Sequence, residues 1–342
     1  MALNMERFAL TNPMKYHVPQ LKAVRPAMSF DPAADFDVQK KALRARLEEL
    51  LCVPERTGAC VPLIEYEDHS DPRFDEIRFL TETEKGFFVP SHLLLPKNRA
   101  GKIPLVICLQ GHTSGMHVSL GREMHPSKKP IKTVKDRDFA LQAVARGYAA
   151  LAMEQRGFGE LNFDPDRPYS CHMLTWQAAM MGRTLLGERI CDIMALIDAV
   201  GRGFEGVDMD RIGIMGNSGG GTSSYFAACI DERIKVSMPS SSFCSFVDSW
   251  GSIYHCDCAY VHGLLNDMEM SDMAAMIAPR ALIAVNGVHD HLQPFESAKA
   301  AFEKVKEIYR AAGAENNCDL VAGPEGHRFY AELAWPVFAR YI

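Results

Sequence analysis

The sequence has no apolar run approaching the roughly 20 residues that a membrane-spanning helix needs. Its first residues, MALNMERFALTNPMKYH, contain no apolar stretch long enough for the core of a signal peptide. The chain also lacks an excess of positive charge, since 37 lysines and arginines stand against 43 aspartates and glutamates, for a formal net charge of −6. We therefore expect no membrane partner and no nucleic-acid partner.

The ten cysteines follow no regular spacing, so the sequence does not predict the disulfide framework of a small secreted protein. Reduced thiols, together with the absence of a leader-like segment, favour a cytoplasmic location. One segment, His255-Cys256-Asp257-Cys258, contains residue types that bind metals. A lone C-x-C lacks the paired spacing typical of zinc sites, and we expect no metal and no organic cofactor.

What the sequence does contain is a regular alternation of buried strands and helices. A chain of 342 residues has room for one large α/β domain or two smaller ones. From residue 104 onward, apolar runs alternate with helical patterns, which predicts a doubly wound, mostly parallel sheet with helices on both faces. The predicted strands are 104–109, 148–153, 211–215, 235–238, 281–285 and 319–322, and the predicted helices are 136–146, 175–200, 219–230, 294–312 and 331–341.

The first part of the chain has a different pattern. Residues 1–74 are expected to form an extension that wraps the core and contains one helix, over 37–51, because apolar residues recur there at helical spacing. Four prolines in residues 1–35 favour irregular structure before that helix. Residues 77–95 are predicted to form a hairpin, within a catalytic domain that spans 75–342.

Two connections, about 112–135 and about 239–279, are too long to be simple turns. Long loops at the carboxyl ends of parallel strands often build binding sites, so both insertions are expected to lie over the active site. The second is rich in aromatic residues, most of which should fill a small core of their own. Both contain many polar residues and neither offers a continuous apolar face.

The stretch RIGIMGNSGGGTS, residues 211–223, places one serine among glycines directly after an apolar run. A phosphate-binding loop would need a lysine after its last glycine, and a dinucleotide-binding turn would need G-x-G-x-x-G directly after the strand; neither pattern is present. Gly216-Asn217-Ser218-Gly219-Gly220 instead fits G-x-S-x-G, in which a nucleophilic serine lies on a sharp turn between strand and helix. The amide of Gly219 would then face a developing oxyanion.

A nucleophilic serine needs a base and a group that orients the base. Asp290 and His327 each follow a predicted strand, in the chain order Ser, Asp, His that this arrangement uses. The second oxyanion donor should come from the loop after the first parallel strand. The amide of His112 is the candidate there, and that of Thr113 is the alternative.

These motifs resemble the α/β-hydrolase superfamily, and more narrowly its branch of acetyl xylan esterases and dienelactone-hydrolase-like proteins. The resemblance covers about residues 75–342 and rests on the segments LQGHTSG, EQRGFGE, DRIGIMGNSGGG, MIAPRALIAVNGVHD and GPEGH. It implies the α/β-hydrolase fold, a triad of Ser218, Asp290 and His327, and an oxyanion hole formed by the amides of Gly219 and His112.

The sequence also departs from this branch. The nucleophile is a serine where dienelactone hydrolases have a cysteine, which argues against dienelactone opening. Glucuronoyl esterases have an arginine shortly after the nucleophilic serine, whereas residues 219–221 of this chain are all glycine. Glu154 stands where the branch usually has an aspartate, a change expected to alter a structural hydrogen bond rather than the chemistry.

The sequence therefore predicts a serine-dependent carboxylic ester hydrolase with a small-molecule ester as its substrate. The polar insertions favour a short acyl group on a polar or carbohydrate-like alcohol. Two alternatives stay open. One is a peptidase of the prolyl-oligopeptidase type, which would carry a large N-terminal module. The other is a catalytically silent member that binds a small ligand. The sequence leaves the oligomeric state open, a homo-oligomer included.

Overall fold

The computed structural model describes residues 11–112, 115–123, 135–164, 166–167 and 169–342. All six apolar runs predicted as parallel strands are strands, and the predicted hairpin is also present. The strands of the described chain are β1 (Pro62–Asp68), β2 (Phe74–Glu84), β3 (Phe87–Pro96), β4 (Ile103–Leu109), β5 (Ala149–Met153), β6 (Val207–Asn217), β7 (Ile234–Ser240), β8 (Ala281–Gly287) and β9 (Cys318–Gly323).

These strands form one nine-stranded sheet in the order β1-β2-β3-β5-β4-β6-β7-β8-β9. The pairs β1–β2, β2–β3 and β3–β5 are antiparallel, whereas every pair from β5 across to β9 is parallel. The strands β4, β5 and β8 are buried along their whole length, as expected for strands covered on both faces. The prediction of a mostly parallel α/β sheet is confirmed.

Helices alternate with the parallel strands. Within the described residues, no helix combines the length and the hydropathy required to cross a bilayer. The α-helices are α1 (Pro13–Ala23), α2 (Phe36–Leu51), α3 (Phe139–Val144), α4 (Cys171–Met180), α5 (Leu185–Gly203), α6 (Gly219–Ile230), α7 (Leu264–Asp267), α8 (Met270–Ile277), α9 (Phe295–Ala311) and α10 (Ala331–Phe338).

The alternation of side chains along β4 shows how the two faces of the sheet are covered. Leu105, Ile107 and Leu109 belong to one hydrophobic cluster, and Val106 and Cys108 belong to another. The first cluster contains side chains of α2, α5, α6, α8 and α9, and the second contains side chains of α3 and α10. Both faces are therefore packed against helices.

Residues 1–74 contain more regular structure than expected. The predicted helix over 37–51 is present as α2, but α1 precedes it and β1 follows it. Pro13 occupies the first turn of α1, where its missing N–H costs nothing, and Asn12 Oδ1 caps that helix by accepting from the Met14 amide over 2.9 Å. Because β1 pairs with β2, the sheet extends across the predicted boundary at residue 74. The division into two domains stays a prediction.

The helix predicted over 175–200 is two helices. The chain breaks after α4 at Gly182, whose φ of +72° is readily accessible only to glycine. Thr184 then caps α5, since its Oγ1 accepts a 2.9 Å hydrogen bond from the Gly187 amide. Two local signals, a glycine and an N-capping threonine, interrupt an apolar pattern that is otherwise continuous.

The insertion at 239–279 contains α7 and α8, and its buried aromatic residues belong to the main hydrophobic cluster, with side chains of α5 and α6, instead of forming the separate small core expected from the sequence. Phe243, Phe246 and Trp250 are buried, whereas Tyr254 and Tyr260 are exposed. The insertion is therefore held rigidly against the domain, with some of its rings left at the surface.

Replacing Leu47 tests whether α2 belongs to the core. Leu47 is fully buried in the same cluster as side chains of α6 and α8. We expect Leu47→Ala to lower the free energy of unfolding by about 2–5 kcal/mol. The control Val38→Ala, on the exposed side of α2, should change it by less than about 0.5 kcal/mol. Urea unfolding measures both, and equal effects of the two substitutions would contradict the packing.

Candidate active site

Ser218 lies at the turn where β6 ends and α6 begins. Its backbone has φ 57° and ψ −124°, a combination that residues with a side chain rarely adopt. The turn is held by a 2.8 Å hydrogen bond that the Ser218 amide donates to the carbonyl of Ser240, at the end of β7. A strained serine between strand and helix is the geometry that a G-x-S-x-G motif predicts.

The glycines around Ser218 allow backbone segments to lie in direct contact. A Cβ on Gly216 would be 2.4 Å from the carbonyl group of Gly220, and a Cβ on Gly220 would be 2.3 Å from the carbonyl oxygen of Leu109. Neither position can therefore hold a larger residue without a backbone shift. Asn217, between them, is buried, and its Oδ1 accepts a 3.0 Å hydrogen bond from Ser240 Oγ.

Asp290 and His327 form a hydrogen-bonded pair after β8 and β9. His327 Nδ1 donates to Asp290 Oδ2 over 2.8 Å, and Asp290 Oδ1 accepts from the amides of Leu292 and Gln293 over 2.9 and 3.2 Å. Burial by itself raises the pKa of Asp290, but the hydrogen bonds and charge of His327 and the two amides outweigh it. The pKa of Asp290 therefore lies below its usual value, and the carboxylate is ionised at neutral pH.

Ser218 and His327 line the same cavity, of about 350 Å³, at the carboxyl edge of the parallel strands. Gly219 and His112, which carry the predicted oxyanion donors, line it as well. Asp290 lies behind His327 with its side chain fully buried. The structure thus brings the predicted site residues into one place from four separate loops.

The loop after β4 is packed directly against the Ser218 turn. A Cβ on Gly111 would be 2.6 Å from the carbonyl oxygen of Asn217 and 2.9 Å from Ser218 Cβ. The next residue, His112, forms part of the cavity wall, and its ring contacts Tyr169 edge-on with 4.6 Å between ring centroids. Thr113, the alternative donor, lies outside the described residues.

Glu154, the residue that departs from the usual aspartate, joins this loop to the loop after β5. Its buried carboxylate accepts hydrogen bonds from the amides of Met116 and Glu160, at 3.2 and 3.1 Å. A Cβ on Gly115 or Gly159 would collide with the same carboxylate. Burial raises the pKa of Glu154 to about 8 despite these hydrogen bonds. Glu154 is thus a structural link between two loops of the site, as expected from the sequence.

Several residues that line the cavity were not predicted from the sequence, among them Arg137, Tyr169 and Gln293. Arg137 is 6% exposed, and among the described residues no carboxylate lies within ion-pair distance of it. Burial, with a contribution from Arg328, lowers the pKa of Arg137 to about 10. These residues come from separate loops, so no spacing in the sequence could have grouped them.

Beside the cavity, four potential metal ligands lie together: His112, Cys171, Cys256 and Cys258. Their ligand atoms are all within 4.8 Å of one another. Two of these cysteines, Cys256 and Cys258, belong to the segment 255–258 that the sequence shows to contain metal-binding residue types, together with His255 and Asp257. In the structure His255 Nε2 instead bonds Ser249 Oγ, 3.0 Å away, while Asp257 bonds His172.

Comparison with known proteins supports the same fold. The sequence profile of the Abhydrolase family matches residues 7–172, a stretch that contains His112 and ends before Ser218. YtaP of Bacillus subtilis (strain 168), which carries a provisional hydrolase name, is 27% identical to this chain over 282 residues. The alignment covers 80% of this chain and 89% of the YtaP chain.

Two solved structures extend the comparison to nearly the whole chain. A Bacteroides fragilis protein provisionally named an acetyl xylan esterase aligns with a TM-score of 0.81 at 17% identity, over 96% of this chain and 95% of its own. Acetyl xylan esterase 1 of a Thermoanaerobacterium species aligns with a TM-score of 0.58 at 17% identity, over 94% of this chain and 96% of its own. These similarities confirm the predicted α/β-hydrolase fold.

Gly220 offers a test of the packing around Ser218. Because a Cβ there would meet the carbonyl oxygens of Leu109 and Gln110, Gly220→Ala should lower the free energy of unfolding by about 1–3 kcal/mol. Gly58→Ala is the control, since no heavy atom of the described chain, other than those of its sequence neighbours, lies within 4 Å of the Cβ it would add. It should change stability by less than about 0.5 kcal/mol. Chemical denaturation of both variants measures the difference, and a neutral Gly220→Ala would contradict the close contact.

Proposed function

We propose that this protein belongs to the α/β-hydrolase superfamily and is a serine-dependent carboxylic ester hydrolase. One observation carries the proposal above all: Ser218, on its strained turn, shares a cavity with His327, and His327 is hydrogen-bonded to the buried carboxylate of Asp290. Nucleophile, base and orienting group are the three roles that acyl transfer through a covalent intermediate requires.

The proposed reaction begins with attack of Ser218 Oγ on the ester carbonyl carbon. His327 bonds Asp290 through Nδ1, which leaves Nε2 to accept the serine proton and then to donate it to the leaving alcohol. The ionised Asp290 holds the ring in this tautomer and stabilises the imidazolium that forms. In the second half of the reaction, His327 activates a water that hydrolyses the acyl-enzyme and releases the acid.

The negative charge on the carbonyl oxygen would be stabilised by the amides of Gly219 and His112. Gly219 is the first residue of α6, where backbone N–H groups have no partner within the helix and can bind an anion. The contact between Gly111 and Ser218 supports the second donor, since it holds the loop that carries His112 against the nucleophile. Removal of one such donor typically costs a factor of about 10²–10³ in kcat.

We propose a short acyl group and a polar or carbohydrate-like alcohol as the substrate. The cavity, about 350 Å³, combines aromatic rings, such as those of Trp250 and Tyr254, with polar groups of Arg137 and Gln293. The buried Arg137, which has no carboxylate partner among the described residues, favours an oxygen-rich substrate over a long alkyl chain. The names of two similar structures, both acetyl xylan esterases, agree with this choice.

We also infer a cytoplasmic setting in which the cysteines form no disulfides. The ten cysteines are unpaired, and seven of them, such as Cys108 and Cys229, are buried. The negative net charge supports a small-molecule substrate over a nucleic acid.

Ser218→Ala tests the nucleophile. Since the three groups act as a unit, we expect kcat for p-nitrophenyl acetate to fall by about 10⁴–10⁶ while the unfolding transition stays unchanged. A fluorophosphonate probe should label the native protein and not the variant. Ser237→Ala, which removes a buried hydroxyl from β7, is the control and should keep both labelling and turnover.

A Ser218→Ala variant that kept more than a few per cent of the native activity would rule out Ser218 as the nucleophile. A native protein that neither reacted with the probe nor turned over any ester would instead support the silent, ligand-binding alternative.

A series of p-nitrophenyl esters tests the acyl side of the substrate. Each added methylene can contribute up to about 0.8 kcal/mol of binding only where apolar surface exists to bury it. We expect kcat/KM to be highest for acetate or propionate and to fall by octanoate. A series that rises to octanoate would contradict the polar cavity and indicate a lipid-like substrate. Acetylated sugars compared with simple alkyl acetates would test the alcohol side.

A further inference from the structure

Three thiols and one imidazole converge beside the proposed active site. They come from parts of the chain that are far apart in sequence: His112 follows β4, Cys171 begins α4, and Cys256 and Cys258 belong to the insertion at 239–279. All four ligand atoms lie within 4.8 Å of one another, and His112 Nε2 is 3.3 Å from Cys258 Sγ.

These separations fit a tetrahedral metal ion. Zinc bonds to sulfur at about 2.3 Å and to imidazole nitrogen at about 2.0 Å, so a tetrahedral site separates two sulfurs by about 3.8 Å and a sulfur from the nitrogen by about 3.5 Å. Because all four ligand atoms lie within 4.8 Å of one another, each separation needs to shorten by at most about 1.3 Å to reach those values. A Cys₃His set is one of the recognised ligand sets of structural zinc.

The charge around the cluster points the same way. Arg189 is buried, with 1% exposure, and its guanidinium donates to Cys171 Sγ over 3.2 Å and to the carbonyl oxygen of Arg156 over 2.7 Å. It lies over the ring of Phe158, and no carboxylate of the described chain is within ion-pair distance of it. Neutral thiols would leave this charge uncompensated, which is costly in a protein interior.

Zinc with three thiolates and a neutral imidazole has a net charge of −1, and Arg189 would balance it. A second group of potential ligands, His92, His117 and Glu160, shows the opposite situation. Glu160 there already receives two 2.7 Å hydrogen bonds from Arg78, so its charge is satisfied without a cation. Of these two groups, only at the cysteine cluster would a bound metal provide the charge that is missing, because thiolates on the metal would balance Arg189.

We propose that His112, Cys171, Cys256 and Cys258 hold a structural zinc ion that fastens the loop after β4 to α4 and to the insertion. All four positions of a tetrahedral ion would be occupied by protein, so the metal activates no water. Cys171 and Cys258 are buried, whereas Cys256 is partly exposed and lines the Ser218 cavity together with His112, which gives the ion a route of entry.

The site would also position the proposed oxyanion hole, an inference that rests on the proposed function. A Cβ on Gly219 would be 3.0 Å from His112 Cε1 and 3.2 Å from Nδ1, so the imidazole ring lies against the first residue of α6. Zinc bound to Nε2 would fix this ring, and with it the backbone amide of His112 next to Ser218. In this role His112 is a positioning residue whose side chain takes no part in proton transfer.

The first experiment measures the metal in the native full-length protein, purified without chelators. Elemental analysis should find about one zinc per chain. Replacement with Co²⁺ should give the visible bands of a tetrahedral ion and a thiolate-to-cobalt charge-transfer band. A protein without zinc that also fails to bind Co²⁺ when its thiols are reduced would overturn the proposal. So would a disulfide among these cysteines in freshly purified protein, detected by mass spectrometry.

Variants test which residues bind the ion. Cys256→Ser, at the most accessible ligand, should weaken zinc binding at least tenfold and reduce the charge-transfer intensity. Cys60→Ser is the matched control, because Cys60 is a buried cysteine outside the cluster that donates to the Thr57 carbonyl oxygen, as a serine also can. Unchanged zinc binding in Cys256→Ser, or an equal loss in Cys60→Ser, would overturn the assignment of ligands.

The effect on turnover is measured separately. Slow removal of zinc with a chelator should lower kcat for p-nitrophenyl acetate at least tenfold with little change in KM, and added zinc should restore it. Retained activity in zinc-free protein would overturn the positioning role. Fluorophosphonate labelling of the native protein reports on Ser218 alone, so a failure of the proposed esterase chemistry can be distinguished from a failure of the metal site.

Discussion

The contact between the Ser218 turn and the loop after β4 is the constraint on which the rest of the site depends. Gly111 and Gly220 leave so little space that the backbones of β4, of the turn and of α6 lie against one another. Ser218 itself is held with a positive φ by the hydrogen bond to Ser240. Strain of this kind persists only where the surrounding structure fixes it, and here two strands and a helix do so.

The other predicted site residues are positioned by the parallel sheet. The strands β4, β6, β8 and β9 run in the same direction, so the loops at their carboxyl ends meet at one edge. Asp290 and His327 come from two adjacent strands and need only the short loops after them to form their hydrogen bond. The sheet thus sets where the proposed chemistry can occur, while the insertion at 239–279 supplies part of the cavity wall.

The insertion at 239–279 serves more than one purpose in this arrangement. Its buried aromatic residues anchor it to the domain, and Trp250 and Tyr254 line the cavity. Its cysteines meet His112 of the loop after β4 and Cys171 of α4. A cross-link at that point would join the three segments that surround the proposed oxyanion hole, a region that otherwise depends on loop packing and on the hydrogen bonds of Glu154.

Local patterns in the sequence were enough to predict the parallel strands, the hairpin and the turn at Ser218. Buried strands are apolar on both faces, and a strained turn requires glycine at defined positions. Both features can therefore be predicted from a short stretch of sequence. The predictions of helices were wrong at two places where a proline or a glycine has more than one structural meaning. The prolines before α2 favour irregular structure, yet Pro13 begins α1, and Gly182 divides an apolar pattern that predicts one continuous helix.

What only the tertiary structure decided is which distant side chains share a space. Arg137, which follows the insertion at 112–135 in the sequence, lines the same cavity as Ser218. Cys171 lies beside Cys256 and Cys258, although more than 80 positions of the chain separate them. In the sequence His255 and Asp257 stand beside those two cysteines, in a segment where no metal is expected, whereas in the folded chain His112 lies next to them. A partner on a separate loop can be predicted only where a motif fixes its place after a strand, as for Asp290 and His327. Contacts between loops depend on how the sheet brings the ends of its strands together.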